Sequence, residues 1–379
     1  MNTLAFALAP VGYLFISWFV YRNYPRAWRE DRTFRKVLFI WHAVGVISVA
    51  AIFTWFRYIP YDNIRYELCR LGTFYYIPLT LMALLYLLLL IYSQAYQFIL
   101  RHTGRKISER ARAYYVDKKF FAVLFTCISF GLCVLGYFNI DFLRLQEYEV
   151  KIAARSAETE LTICLVADVH AGAGTWEYLY DDMQEMIDAC DADVLLLDGD
   201  IFDETTNERD VKDVLRVLKT IKRPRYGVFY VSGNHDGAWV AEEMRRVGVT
   251  VLDGEMVTVG QDIQLIGVPD QRHSASDIER LYSQLQPNPD RPIVTAIHRP
   301  SHLSTLSALG SDLAVSGHSH GFNVFSFLGA NMLGDMYCGI EKYGDMTAVT
   351  TSGVSAWGFH YKWPAQSEIV KIHLTFDPS

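Results

Sequence analysis

Four stretches in the first part of the chain, residues 1–21, 37–56, 71–100 and 120–140, contain no Asp, Glu, Lys or Arg. A helix needs about 20 residues to cross the hydrocarbon core of a bilayer. Each stretch is long enough, so the first 150 residues are expected to form an all-α membrane anchor of four spans. The first is expected to be a retained span rather than a cleaved leader, since no basic region precedes it and no clear small-residue cleavage pattern follows it. The third exceeds one crossing and is expected to tilt or to run past the lipid. Lys and Arg concentrate in two of the connecting loops, Arg22 to Lys36 and Arg101 to Lys119, which the positive-inside bias places in the cytoplasm. With four spans, both the amino terminus and everything after residue 150 face outward. The expected location is therefore multi-pass in the cell (inner) membrane, with the following domain on the extracytoplasmic side. The basic loops also suit anionic membrane lipids as partners. His42 lies inside the second stretch, and with no acidic residue in any span a neutral, hydrogen-bonded packing role is expected for it.

Beyond residue 150 the character of the chain changes. Residues 1–150 hold 17 Lys and Arg against 9 Asp and Glu, a balance of +8, whereas residues 151–379 hold 18 against 33, a balance of −15. A domain at −15 repels a polyanion, so nucleic acid is an unfavourable partner and divalent cations are better ones. The six cysteines include no C-x-x-C pair, which removes the usual zinc knuckles and disulfide frameworks. From about residue 160, short apolar runs alternate with helix-like segments, the pattern of a layered α/β domain. The chain thus divides into an anchor over 1–150 and an α/β domain over 151–379.

Five of the apolar runs end in polar clusters. Residues 161–167 lead into Asp168 and His170, residues 194–197 into Asp198, Asp200 and Asp203, and residues 226–231 into Asn234, His235 and Asp236. Residues 293–297 lead into His298, and residues 312–316 into His318 and His320. Open α/β sheets place ligand sites at the carboxyl ends of their strands. In extended chain, residues i and i+2 point the same way, so Asp168 with His170, and His318 with His320, can each reach one point. Gly199, Gly233 and Gly317 precede these clusters, where a missing side chain permits a tight turn. Imidazole mixed with carboxylate and amide oxygen suits manganese, iron or zinc rather than calcium. Asp198 is read as a hydrogen-bonding neighbour of the site, and His302 as a solvated loop residue.

The ordered set D-x-H, G-D-x-x-D, G-N-H-D, a lone H after a strand, and G-H-S-H resembles the calcineurin-like metallophosphoesterase superfamily over about residues 160–375. More narrowly it resembles the membrane-anchored bacterial members, whose tail pattern is echoed at residues 351–358 and 367–370. The resemblance implies a four-layer α/β/β/α metallophosphoesterase sandwich behind the four-span transmembrane region. It also implies two divalent metal ions. One would take Asp168, His170, Asp200 and His320, the other Asp200, Asn234, His298 and His318, with Asp200 bridging. His235 would protonate the leaving oxygen, with Asp203 as the leading candidate to orient it and Asp236 as the second. Asn234, His235 and Arg299 would contact substrate, with Arg272 a further candidate for phosphate. The chain departs from many relatives at Gly321-Phe322-Asn323, next to the ligands rather than at them.

Two ions holding a bridging hydroxide in line with phosphorus would make the chain a hydrolase of phosphoester or pyrophosphate bonds. Only two carboxylates stand among the seven ligands, which leaves a net positive charge facing an anionic phosphate. A phosphorylated small molecule or a lipid-linked envelope compound is the expected substrate, because four spans exceed what tethering requires. Trp176, Tyr337, Tyr343, Trp357 and Trp363 are candidates for lining the entrance. A sensor or scaffold that binds metal and phosphate without turnover, and a transporter regulated by the outer domain, are the competing readings.

Overall fold

The computed structural model describes residues 3–50, 62–104, 118–172, 174–175, 177–272, 274–321 and 336–378. Contacts divide the chain into two compact units, Met1–Tyr137 and Phe138–Ser379. The division comes earlier than 150/151 because the segment after residue 143 is already a strand of the second unit.

The first unit is helical: α1 (Thr3–Asn23), the short α2 (Arg26–Glu30), α3 (Arg32–Ala50), α4 (Asp62–Thr103) and most of α5 (Lys118–Asp141). Among the described residues three helical segments, not four, are long and apolar enough to cross a membrane: Arg32–Ala50, Tyr66–Thr103 and Lys118–Asp141. The expected first span does fold as α1. However, the side chains of residues 1–9 lie outside the described residues, and what remains of α1 is shorter than the roughly 20 residues of a crossing. Residues 51–56 of the expected second span also lie outside the described residues. At 42 residues α4 is about 63 Å long, about twice the thickness of a hydrocarbon core. Tyr13, Val20, Tyr24, Val49, Leu79, Met82, Tyr86 and Phe125 pack inside this unit, while Phe39, Ile40, Leu88 and Ile91 point outward as lipid-facing residues do. His42 meets the Tyr13 ring edge-on at 6.1 Å, and neither of its ring nitrogens has a hydrogen-bond partner among the described residues, contrary to expectation.

The second unit is built on two six-stranded sheets. The first runs β1 (Arg144–Ser156), β12 (Glu368–Pro378), β2 (Glu160–Val166), β3 (Val194–Asp198), β4 (Val228–Val231), β5 (Thr250–Val251). The second runs β10 (Gly339–Tyr343), β11 (Met346–Thr350), β9 (Leu313–Ser316), β8 (Ile293–Ile297), β7 (Ile263–Val268), β6 (Met256–Val259). Strands β2 to β5 are mutually parallel, as are β7, β8, β9 and β11; β12 runs antiparallel to β2 and parallel to β1.

Alternation along the strands explains the layering. Leu161, Ile163 and Leu165 of β2 face the same core as Leu196, Val294, Ala296, Leu313 and Val315, so the two sheets pack face to face. The intervening Cys164, Val166, Leu195 and Leu197 turn the other way, onto α6 (Glu177–Cys190), α7 (Glu208–Thr220) and α8 (Ala238–Arg246). On the far side Ile293, Ile297 and Ala314 pack on α9 (Ala275–Leu285) and α10 (Leu303–Ala308). Both faces of every central strand are covered, which is why those strands read as unbroken apolar runs. The result is the expected α/β/β/α sandwich.

Candidate metal centre

All five polar clusters lie at the carboxyl ends of parallel strands, three in the first sheet (β2, β3, β4) and two in the second (β8, β9). The way they converge differs from the expectation. Asp168 and His170 lie beyond the end of β2, and with Asp200, His318 and His320 they adopt left-handed backbone, with φ from 45° to 69°. Extended-chain alternation is therefore not what aims these side chains. Each left-handed turn costs on the order of 1 kcal/mol or more for a residue with a Cβ, and such strain gathers at functional sites. Gly199, with φ of 79°, lies back to back with Gly233; a Cβ on Gly199 would stand 2.6 Å from the Gly233 backbone and from His298 Nδ1.

Two triads form. Asp168, His170 and His320 each offer a donor atom within 4.8 Å of the others, and so do Asp200, His298 and His318. The triads share one pocket. His170 Nε2 lies 3.8 Å from Asp168 Oδ1 and 3.7 Å from Asp200 Oδ2, His298 Nε2 lies 3.0 Å from Asp200 Oδ2 and 4.0 Å from Asp168 Oδ1, and His320 Nε2 lies 3.8 Å from Asp168 Oδ1. Asp200 thus faces ligands of both groups. The non-ligating atoms are held by the fold: the His318 amide donates to Asp168 Oδ2 at 2.8 Å, the His235 amide to Asp200 Oδ1 at 2.7 Å, and His298 Nδ1 to the Asp198 carbonyl at 2.7 Å. A backbone acceptor at Nδ1 leaves His298 Nε2 facing the pocket.

The donor set fits a pair of divalent ions. Asp168 Oδ1 and His170 Nε2 are buried in this pocket without a hydrogen-bond partner among the described residues, an arrangement costly for polar atoms unless a cation meets them, and Asn234 Oδ1, just past β4, is likewise buried and unpartnered among those residues. Burial pushes the Asp168 carboxyl up to about 7 and holds His318 and His320 down to about 2 and 3, the neutral imidazole that binds metal. Burial opposes the charge on Asp200 as well, but the His298 and His170 imidazoles outweigh it and keep that carboxyl below the usual range. The Asp198 carboxyl, raised to about 8 by burial, has no hydrogen-bond partner among the described residues, so only its backbone serves the site as expected.

A model of the family described as calcineurin-like phosphoesterase matches residues 161–322. An uncharacterized metallophosphoesterase of Helicobacter pylori is 30% identical over 266 residues, 66% of this chain and 70% of the relative. The chain belongs to the calcineurin-like metallophosphoesterases. A second metallophosphoesterase, from Campylobacter jejuni, is 25% identical over 68% of this chain and 72% of its own length. Among solved structures, a dimetal phosphatase from Danio rerio has a TM-score of 0.35 at 12% identity, covering 51% of this chain and 88% of that one. Membership of that family, with the two Asp/His triads, makes the chain a metal-dependent hydrolase of phosphoester bonds that uses divalent metal.

Within this metallophosphoesterase, His235 reaches the pocket, its ring edge-on to His170 at 5.0 Å, but its orienting partner is not the expected one. Asp203 accepts from the Thr205 amide and hydroxyl and lies 3.8 Å from His170 Nδ1. Asp236 accepts from the Phe202 and Gly233 amides and fixes the turn. Glu204, one residue past Asp203, instead meets His235 Nδ1 with both carboxylate oxygens at 3.1 Å, because the Thr205 bonds turn Asp203 away. Arg299 is paired with Asp270 at 2.5 and 3.2 Å through Nε and Nη2. His302 is exposed ahead of α10, as expected. Trp357 lies 5.4 Å from the His235 ring; Trp176, Phe322 and Asn323 lie outside the described residues, as does the Arg272 side chain. Lys362 gave no signal in the sequence beyond being a charged residue in a tail. It is fully buried and donates to the Gly353 and Ser355 carbonyls at 2.5 and 3.0 Å, in the loop whose Ser355 amide binds the Asp168 carbonyl.

Proposed function

We propose that this metallophosphoesterase cleaves a phosphoester or pyrophosphate bond in a lipid-linked or envelope phosphate compound, at the outer surface of the cell membrane. The observation that carries the reading is the meeting of the Asp168–His170–His320 and Asp200–His298–His318 triads in one pocket beside His235. Asp200 would serve both ions, Asn234 would complete the second set, and two such ions supply a low-pKa water and positive charge for the phosphate. Glu204 keeps a hydrogen on His235 Nδ1, so Nε2 is the atom from which a leaving oxygen would take its proton. Burial works against a charged His235, but the Glu204 hydrogen bond and the neighbouring carboxylates outweigh it and raise its pKa, as a proton donor needs.

Three apolar helices support membrane association. The side on which the domain lies follows from the last span alone and is independent of how many precede it. Arg101, Arg105, Lys106, Arg110, Arg112, Lys118 and Lys119 flank the amino end of α5, against Arg144 just beyond its carboxyl end. That bias favours a cytoplasmic loop before α5 and an extracytoplasmic domain after it. The test is manganese-dependent release of 4-nitrophenol from its mono- and bis-phosphate esters, set beside hydrolysis of a polyprenyl or phospholipid phosphate in detergent. Turnover of the lipid-linked compound well above the soluble esters is expected. Equal rates on both would remove the lipid-linked assignment, and metal binding without turnover of any ester would make the chain a sensor or scaffold.

A further inference from the structure

His235 is gripped from three segments that are distant in sequence. Its own strand end supplies the backbone, the loop after β3 supplies Glu204, and the segment between β11 and β12 supplies Trp357. Both Glu204 oxygens lie 3.1 Å from His235 Nδ1. The Trp357 indole N–H donates to Glu204 Oε2 at 3.3 Å, and its ring lies 5.4 Å from the His235 ring at an interplanar angle of 32°. The His170 ring stands edge-on at 75° on another side. An imidazole on a single rotatable bond pair would sweep several positions; here a carboxylate fixes one nitrogen and an indole confines a face.

We infer that Glu204 and Trp357 are positioning residues that hold His235 Nε2 on the leaving oxygen of the substrate. The inference rests on the proposed hydrolytic role of His235. In the step they serve, a water oxygen bonds to phosphorus and the bond from phosphorus to the leaving oxygen breaks, its electron pair passing to that oxygen. The leaving oxygen takes the proton from His235 Nε2. The proton shed by the attacking water passes to solvent, and solvent restores the proton on the imidazole. Glu204 keeps the hydrogen on Nδ1 throughout and never touches substrate. Trp357 restrains Glu204, because its N–H holds Oε2 of that carboxylate.

Such a role makes a prediction that a merely structural one does not, namely dependence on the leaving group. A good leaving group such as 4-nitrophenolate needs little help from an acid, while unsubstituted phenolate needs it. The experiment measures kcat and KM of the full chain in detergent on a series of aryl phosphates from 4-nitrophenyl to phenyl, with metal content determined for each variant. For Glu204→Ala and Trp357→Phe, kcat on the phenyl ester should fall roughly 10- to 100-fold while kcat on the 4-nitrophenyl ester falls less than about threefold, with KM and metal content unchanged. Glu204→Gln, which keeps an acceptor oxygen, should recover part of the loss. A uniform fall across the series, or no fall, in both variants would overturn the positioning role. His235→Ala separates the two levels: if it too shows no leaving-group dependence, the assignment of His235 itself fails, whereas dependence in His235→Ala alone rejects only Glu204 and Trp357.

Discussion

His235 and Asp200 are the residues whose replacement separates chemistry from assembly. His235→Ala leaves every ligand in place, so metal content should be unchanged while turnover of a phenyl ester falls about 10²- to 10⁴-fold. Asp200 faces ligands of both triads, His170 and His298. Asp200→Asn should therefore lower the occupancy of both metal sites together; elemental analysis that finds one site full would end the bridging assignment. The candidate ligands were legible because each follows an apolar run and carries a donor atom, two properties visible in letters. The orienting residue was not. Asp203 and Glu204 are neighbours with the same charge, and what separates them is the pair of Thr205 bonds that captures Asp203. Lys362 was invisible for a similar reason, since its partners are backbone carbonyls and carbonyls belong to every residue.

At the scale of elements, strands were easier to read than the turns that follow them. Covered on both faces, β2, β3, β4, β8 and β9 appear as unbroken apolar runs. The outer strand β1 carries charged residues at its exposed positions and gave no such run, which is why the domain boundary was expected too late. The left-handed turns at Asp168, His170, Asp200, His318 and His320 left no mark, because Asp and His are no rarer there than in ordinary loops. Gly233 tests how tightly the β3 and β4 turns fit. A Cβ at this position would run into the amide and carboxylate of Asp200. Gly233→Ala should cost about 1–3 kcal/mol by overpacking, a fall of roughly 2–10 °C in Tm, and should release metal before it unfolds the sandwich. Calorimetry with and without added manganese checks this; an unchanged Tm in both would mean that the turn has room to spare.

For the whole molecule, the asymmetry between +8 in residues 1–150 and −15 in residues 151–379 matches a chain living at a boundary between two media. A tag at Ser379 should be unreactive towards labels added on the cytoplasmic side and reactive towards an impermeant label in intact spheroplasts; labelling from the cytoplasm would reverse the proposed sidedness. Among the described residues three segments, not the four expected from charge-free length, are long and apolar enough to cross a membrane. The second unit also reaches further back than its first strand. Asn139 donates to the Lys362 and Ala365 carbonyls at 3.1 and 2.5 Å, the Ser367 hydroxyl to the Ile140 carbonyl at 2.9 Å, and His360 Nε2 faces Asp141 at 2.7 Å. Anyone excising a water-soluble catalytic fragment must therefore lift it out with its root. A cut at 151 splits β1 halfway along its pairing with β12 and strips those three anchors, so expression of 151–379 should give aggregates. A cut at 138 keeps the seam whole, and size-exclusion chromatography should find that fragment monodisperse.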